Sequence, residues 1–213
     1  MNRKNENHTP NIRKSPKRQL KAGNMLNPAP VVMVSCGETP DEYNIITVAW
    51  CGTVCSDPPM CYISVRPERH SYPIIKERQE FVINLVSAEL TERTDWCGVR
   101  SGKKYNKFLE TDLTPVHGSK VKAPLIYEAP VILECVVRQV IPVGSHDMFL
   151  AEIVAVHANE VLFEKKKRRN ALGARQPREL LQRTLLPTGK NHWKVWVFGR
   201  EKIIIVQIFT YIY

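Results

Sequence analysis

Short runs of β-branched and aromatic residues, each closed by turn-forming residues, follow one another through the middle of this chain. The runs include "PVVMVSC", "YNIITVAWCGTVC", "MCYISVR" and "EFVINLV", and segments such as "TPDE" and "SDPP" separate them. Val, Ile, Thr and aromatic side chains favour strands, whereas Pro, Asp and Gly interrupt them. The pattern therefore predicts a mostly β fold, with Gly52 as a possible bulge or bend inside the second run.

Two longer runs near residue 145 predict a pair of neighbouring strands. They are "VILECVVRQVIPVG" and "DMFLAEIVAVHA". In the first run, Leu133, Cys135 and Val137 alternate with Glu134 and Arg138, which is typical of a strand with two different faces. The intervening "PVGSH" has turn chemistry, so we expect the two strands to pair through it.

Two or three short helices accompany the strands. "SYPIIKERQ" predicts a helix with Ser71 as its N-cap and Pro73 in its first turn. "SAELTERTDWCG" predicts a second helix, capped by Ser87 and ending near Gly98. Residues 101–113 predict a loop that leads into a short helix. Six or more strands with helices on one side are most simply arranged as an antiparallel barrel with added helices.

The formal charge of +10 is unevenly distributed along the chain. Residues 1–22 carry +6 and residues 164–213 carry +9, whereas residues 23–163 carry −5. A nucleic-acid-binding domain normally carries positive charge on its folded docking face, which the middle of this chain lacks. We therefore expect no specific nucleic-acid partner. We interpret residues 1–20 as a disordered basic leader, because their composition is polar and they have almost no apolar pattern.

Six cysteines lie mostly inside apolar runs, namely Cys36, Cys51, Cys55, Cys61, Cys97 and Cys135. None belongs to a Cys-x-x-Cys pair, and "CGTVC" has the wrong spacing for a usual zinc knuckle. We expect reduced thiols that pack as small hydrophobes, no metal site and a cytoplasmic location. No stretch reaches the roughly 18 apolar residues of a spanning helix, so we expect no membrane partner.

Five segments, in order and at matching spacing, resemble the flavin reductase-like, FMN-binding split-barrel family, close to its flavoredoxin branch. They are "NPAPVVMVSCG", "TVAWCGTVCSDPP", "ISVRPERHSYPIIKERQEFVINL", "CGVRSGKKYNKF" and "VILECVVRQVIPVGSHDMFLAEIVAVH". The similarity extends from about Lys21 to Phe163. It implies an antiparallel FMN-binding split barrel over residues 21–163.

FMN requires from its protein an apolar slot for the ring, polar groups at the ring edge and hydrogen-bond donors for the phosphate. The resemblance implies that one strand and the loop after it wrap the ring and the ribityl chain. The residues at these positions are Thr47, Val48, Ala49, Trp50, Cys55 and Ser56. It also implies that Asn84 and Leu85 form a strand end that faces the ring. The alternative for Trp50 is an ordinary core residue.

The phosphate is expected beside "RPERHS", because a helix N-terminus flanked by cations attracts anions. The candidate residues there are Arg66, Arg69, His70 and Ser71, although Ser71 is also explained as a plain helix cap. The resemblance adds three positions near the phosphate and the nicotinamide entrance. These positions are Ser101, Gly102 and Lys107.

The resemblance implies an FMN-binding oxidoreductase that passes electrons from NAD(P)H through bound FMN to flavin or another acceptor. It also implies a homodimer that shares the flavin site across a two-fold interface. One alternative is a flavoredoxin-like electron carrier that binds FMN without efficient NAD(P)H turnover. Another is a nucleic-acid-binding module that uses the basic ends of the chain. The residues identify no catalytic group.

Residues 164–213 form an atypical basic tail that does not resemble the family terminus in its amino acids. Because Trp is always encoded by TGG, a one-base advance of the frame forces a Gly at Trp193 and another at Trp196. The shifted frame of "KNHWKVWVF" can encode Gly-Lys-Phe-Gly-Phe, which matches the closing strand of the family. We hypothesise a frameshifted terminus after about Lys165. A genuine basic arm for nucleic acid or anionic lipid is the alternative.

This hypothesis predicts that restoring the frame raises flavin affinity and solubility together, because the family terminus helps to close the barrel. Sequencing the source DNA across the codons of Glu164 to Lys167 tests the origin of the tail, and FMN titration of both versions tests the consequence. An unshifted gene whose written tail is protease-resistant and required for flavin binding would show the hypothesis to be wrong.

Overall fold

A computed structural model describes residues 16–26 and 28–163 and, as backbone only, two strands at 194–198 and 203–207. The strands of the first part are β1 (Val32–Cys36), β2 (Asn44–Val48), β3 (Cys51–Ser56), β4 (Pro59–Val65), β5 (Glu80–Leu85), β6 (Pro115–Val116), β7 (Leu125–Ile126), β8 (Val131–Pro142) and β9 (Asp147–Ala158). The later strands are β10 (Lys194–Phe198) and β11 (Ile203–Gln207). The helices are α1 (Ser71–Arg78), α2 (Thr91–Val99) and α3 (Lys107–Glu110), with 3-10 turns at Ala88–Leu90 and Glu160–Leu162.

Seven strands form one antiparallel sheet in the order β2-β1-β5-β8-β9-β4-β3. The two edge strands, β2 and β3, are consecutive in the chain and are joined only by Ala49 and Trp50. So short a connection requires the two edges of the sheet to meet, and the sheet curls into a barrel. At this seam the Ser64 N–H donates to the Trp50 carbonyl oxygen at 2.8 Å. The predicted mostly β, antiparallel barrel is confirmed.

The barrel has an apolar core on each side of its sheet. The inner core contains Ile63, Phe81 and Phe149, each fully buried, and several shorter side chains from the same strands. The outer core lies between the sheet and the helices and includes Met33 and Ile45. Each such side chain stabilises the fold by roughly 1.5–3 kcal/mol on burial. The sheet is therefore covered on both faces over much of its area.

The alternation predicted for β8 is confirmed, and its second face is buried at Glu134 and exposed at Arg138. Glu134 is 0% exposed, and its carboxylate accepts hydrogen bonds from the backbone N–H groups of Ser119, Lys120 and Val121 at 2.6–2.9 Å. The His157 Nε2 lies 2.5 Å from the same carboxylate. Burial alone would raise the pKa of Glu134, but these hydrogen bonds outweigh it and lower the pKa to about 2. Glu134 thereby fastens the loop before β7 to the sheet.

The predicted bulge or bend is not at Gly52 itself, because the chain bends at Ala49–Trp50 and the register of β3 shifts between Thr53 and Cys55. Gly52 lies inside β3, where a Cβ would stand 2.9 Å from the Tyr62 ring. Glycine at this position therefore serves close packing rather than a change of direction.

The predicted helix caps also differ from the structure. His70 occupies the N-cap position of α1, no side chain caps this helix, and Ser71 is its first helical residue. Ser87 precedes a 3-10 turn without a side-chain capping bond, and Gly98 lies inside the last turn of α2. The Ser71 hydroxyl is engaged elsewhere in the core, as described below.

All six cysteines are free, and five of them are buried. Burial raises the pKa of Cys36 and Cys51 to about 12 and that of Cys97 to about 11, which keeps these thiols protonated. The Cys61 and Cys135 sulfur atoms lie 3.6 Å apart inside the barrel, where the two free thiols share a hydrogen bond rather than a disulfide. This agrees with the prediction of thiols that pack as small hydrophobes.

The two ends of the chain fall largely outside the described residues. Within the described part, β10 pairs with β11 and neither joins the seven-stranded sheet. The boundaries at residues 20 and 163 and the frameshift hypothesis therefore stay predictions. No helix among the described residues has the length and apolarity needed to cross a membrane.

The Glu134 network predicts a pH dependence of stability. A carboxyl with a folded pKa near 2 and an ordinary value of 4.5 stabilises the fold above pH 4.5, and this contribution is lost as the pH falls toward 2. Glu134→Gln should lower the free energy of unfolding at pH 7 by up to about 3 kcal/mol. It should also flatten the decline of stability between pH 5 and pH 3, as measured by urea unfolding.

Glu110→Gln is the matched control, because Glu110 is exposed on α3. If both variants had the same pH dependence as the unmodified protein, Glu134 would not be the group that titrates.

Candidate functional site

Positive side chains gather where β4 ends and α1 begins. The chain turns tightly there, with the Arg69 N–H bonded to the Arg66 carbonyl and the Tyr72 N–H bonded to the Arg69 carbonyl, both at 3.0 Å. Burial lowers the pKa of His70, and the nearby cations of Lys103 and Lys107 lower it further. The N-terminal end of α1 therefore combines the positive end of the helix dipole with surrounding positive charge, which is the arrangement that attracts an anion. We call this region, formed by Arg66, Arg69, His70 and Lys103, the cationic edge.

A buried network supports the cationic edge from below. Asn44 at the start of β2 is 3% exposed, and its amide nitrogen donates to the Ser71 hydroxyl at 2.7 Å. Gly102 packs so closely above it that a Cβ would lie 2.3 Å from the Asn44 amide oxygen and 2.6 Å from the His70 ring. In the described part of the chain, that amide oxygen accepts no hydrogen bond. Glycine therefore allows the backbone of the loop at residues 101–104 to lie directly against α1.

Lys107 is near the predicted phosphate position, but its charge points into the protein. Its side chain is buried, and the ammonium donates to the carbonyl oxygens of Ile45 at 2.7 Å and Cys97 at 2.6 Å. Burial lowers the pKa of Lys107, since charge is costly away from water. In this structure Lys107 joins β2 to α2 and does not present its ammonium at the surface.

Asn84 also has a supporting position, and its place at a ring-facing strand end stays a prediction. It is fully buried, and its amide nitrogen donates to the Ser35 hydroxyl at 3.0 Å and the Met33 carbonyl at 3.2 Å. Its amide oxygen accepts from the Ile126 N–H at 3.0 Å. These bonds hold β5, β1 and β7 together, and they leave the side chain no free polar atom at a ring edge. Leu85 packs partly buried against the inner core.

Trp50 lies at the seam of the barrel and is 43% exposed, so it is not an ordinary core residue. Its ring stacks on His146, with 4.2 Å between ring centroids and 35° between ring planes. Burial lowers the pKa of His146, and the neighbouring cations of Arg66 and Arg69 lower it further. The Trp50–His146 stack therefore borders the cationic edge.

Sequence reasoning assigned no role to His146. The signal that places it was nevertheless present, because "PVGSH" was predicted to be the turn between β8 and β9. The order of the strands in the curled sheet could not be read from one sequence, so neither could the approach of this turn to Trp50.

The residues just before Trp50 direct their side chains either toward α2 or toward the inner core. The Thr47 hydroxyl donates to the Thr94 carbonyl at 2.5 Å, and a Cβ on Gly98 would lie 3.3 Å from the Thr47 Cβ. Val48 points into the inner core, and Ala49 is partly exposed at the seam. This segment thus offers a short, largely apolar surface bounded by α2 on one side and Trp50 on the other.

The structure does not bring Cys55 and Ser56 into this cluster. They lie at the far end of β3, about 13 Å along the strand from Cys51. The Cys55 thiol donates to the Asp57 carbonyl at 3.3 Å, and Ser56 is exposed. Ser101 is exposed beside the cationic edge, where its hydroxyl accepts from the Lys103 N–H at 3.3 Å. The flavin contacts expected of these residues stay predictions.

Metal ligands form no cluster in the parts of the chain that the structure describes. No three His, Cys, Asp or Glu side chains there are arranged to hold a metal ion.

Comparison with known proteins gives a family match and similar structures. The model of the flavin reductase like domain matches residues 25–172. An uncharacterized protein of Pyrococcus abyssi is 31% identical over 143 residues, covering 67% of this chain and 81% of the relative. The flavoredoxin of Desulfovibrio vulgaris (Miyazaki F) has a TM-score of 0.68 and 25% identity, covering 93% of this chain and 96% of that one. An FMN-binding protein of Thermus thermophilus has a TM-score of 0.61 and 22% identity, covering 74% and 86%.

The position of Lys107 predicts a stability effect. Lys107→Met keeps the apolar stem but leaves the carbonyl oxygens of Ile45 and Cys97 without a donor. This should lower the free energy of unfolding by about 2–4 kcal/mol, as measured by denaturant titration. Lys104→Met, at an exposed position of the preceding loop, is the control and should be nearly neutral. Equal stability of the two variants would contradict the supporting role of Lys107.

Proposed function

This chain belongs to the family of the flavin reductase like domain, and we propose that it binds FMN and acts as an oxidoreductase of the flavin reductase class. The family match confirms the resemblance found in the sequence. The observation that carries the proposal is the cationic edge beside the exposed Trp50–His146 stack. A phosphate and a planar ring on one ligand would match these two surfaces.

We assign the phosphate of FMN to the cationic edge. Arg69 and the N-terminal end of the α1 dipole supply positive charge there, whereas the Arg66 guanidinium forms a 3.3 Å ion pair with Glu68. Asn44 and Ser71 hold the first turn of α1 in place through their buried bond. Gly102 lets a second backbone segment approach the same point.

We assign the flavin ring to the surface between α2 and Trp50. Thr47 and Ala49 offer small side chains there, and Trp50 offers a wide aromatic face. When bound, the flavin supplies the redox chemistry, accepting electrons from a donor and passing them on. The protein's part is to hold the ring, to keep water from one face and to place the phosphate.

We further propose NAD(P)H as the electron donor and flavin or another small molecule as the acceptor. The similarity to a flavoredoxin supports a second candidate function, an electron carrier that binds FMN without efficient NAD(P)H turnover. A homodimer that completes the flavin site belongs to the proposal, because the candidate ring surface is open to solvent at Trp50. Six free thiols suit a reducing compartment, and we propose the cytoplasm.

The proposal predicts a phosphate-selective effect at the cationic edge. Arg69→Gln should weaken FMN binding about tenfold or more and change riboflavin binding less than about twofold, because riboflavin has no phosphate. Fluorescence titration measures both affinities. Lys120→Gln, at an exposed lysine on the loop beside Glu134, should change neither. Equal losses of affinity for FMN and riboflavin would show that the phosphate binds elsewhere.

The same FMN-loaded sample distinguishes the remaining possibilities. Anaerobic bleaching of the flavin absorbance by NADH or NADPH supports the reductase, and a slow or absent reaction supports the electron carrier. Sedimentation gives the oligomeric state. A protein that binds neither FMN nor riboflavin at micromolar concentration would contradict the proposed function.

A further inference from the structure

Tyr72 connects α1 to the β8–β9 hairpin through its hydroxyl group. The hydroxyl donates to the Asp147 carboxylate at 2.5 Å and accepts from the Lys76 ammonium at 3.2 Å. The Tyr72 ring is 8% exposed and packs edge-on against Phe149, with 5.5 Å between centroids. The position of this hydroxyl is therefore fixed by the inner core, and the hydroxyl holds the Asp147 carboxylate, while the Asp147 backbone pairs with Val65 of β4 and Pro142 of β8.

Asp147 is the first residue of β9 and directly follows the hairpin turn. The turn has few contacts of its own. Gly144 has a φ of +110° and open space around it, and residues 142–145 are exposed. A 3.0 Å bond from the Val143 N–H to the His146 carbonyl closes the turn locally. The direction in which the turn points therefore depends on the fixed strand end at Asp147.

His146 directly precedes Asp147 in the chain, and its ring contacts the Trp50 ring. The two rings stack at 4.2 Å, and the Ser145 hydroxyl lies 2.9 Å from the His146 Nδ1. Trp50 is half exposed and stands on the two-residue connection at the seam, where no further ring packs against it within the described residues. The imidazole is thus the aromatic support that holds the indole in one orientation.

We propose that Tyr72 is a positioning residue for the ring-binding surface, acting through Asp147 and His146 to hold the Trp50 indole in place. The inference rests on the proposed function, since it assigns the Trp50 indole to the flavin ring. The role of the hydroxyl group is indirect. It sets the orientation of an aromatic surface that would otherwise be free to rotate, and ordering that surface before binding reduces the entropy cost of binding.

The geometric part of the inference is tested without any flavin. In the apoprotein, ring current from Trp50 should shift the His146 ring protons upfield in the NMR spectrum, with His146→Ala identifying those signals. Tyr72→Phe retains the ring packing against Phe149 and loses only the hydroxyl. It should move the His146 signals toward ordinary histidine values, and Asp147→Asn should move them in the same direction. If the His146 signals stayed at the upfield positions of the unmodified protein in both variants, the inference would be overturned.

Tyr62→Phe is the matched control for the apoprotein spectrum. Tyr62 is a partly buried β4 tyrosine, and its hydroxyl has no bonding partner in the described residues. This variant should leave the His146 signals in place. Thermal unfolding of every variant, followed by circular dichroism, checks that the fold is kept. If Tyr72→Phe unfolds, Asp147→Asn decides the question alone.

The binding part is tested by a double-mutant cycle with Trp50→Leu. Tyr72→Phe should weaken FMN and riboflavin binding by similar factors of about 2 to 10, because it disturbs the ring surface and not the phosphate. In the Trp50→Leu background the same change should have less than a twofold effect. Equal losses in both backgrounds would show that Tyr72 acts by another route. If the unmodified protein binds neither flavin, the proposed function fails while the NMR result still decides the positioning role.

Discussion

The two-residue connection between the edge strands of the sheet determines the shape of this protein. Strands β2 and β3 lie at opposite edges of a seven-stranded sheet, yet only Ala49 and Trp50 separate them in the chain. An open, flat sheet is impossible under that constraint, so the apolar faces of all seven strands turn toward a common interior. The same connection places Trp50 at the rim of the barrel, beside the end of β4 and the start of α1. The exposed aromatic ring and the positive charges thereby share one side of the barrel.

Three buried polar side chains hold the irregular segments to this barrel. Lys107, Asn84 and Glu134 each bind backbone groups of other segments of the chain rather than one another. A buried backbone donor or acceptor without a partner costs about 1–3 kcal/mol, so each of these side chains removes a penalty that the loop would otherwise bear. The apolar cores determine how the strands pack. The polar contacts determine where the loops lie on them, and the geometry of the candidate site depends on both.

The strands and their alternation follow from the sequence, because apolar periodicity and turn residues act locally. The β8–β9 pairing, the barrel class and most strand positions were predictable in this way, whereas the division of residues 43–55 into β2 and β3 and the short strands β6 and β7 were not. The roles of individual side chains were less predictable. Lys107 and Asn84 occupy positions where the family resemblance places ligand contacts, but hydrogen bonds to carbonyl groups distant in sequence turn them inward. His146 was missed for the same reason, since its neighbour Trp50 is 96 residues away in the chain. Such pairings depend on strand order, which local patterns do not specify.

Gly102 gives the site an unusual sensitivity to mutation. Any side chain at this position would collide with Asn44 and His70, since even a Cβ would lie 2.3 Å from one and 2.6 Å from the other. The loop would have to move outward as a unit and would carry Ser101 and Lys103 with it. A substitution by a neutral residue would thus change the electrostatic potential at α1 without changing the charge of the protein. Sequence drift at this single position would alter the proposed phosphate site while leaving every charged residue intact.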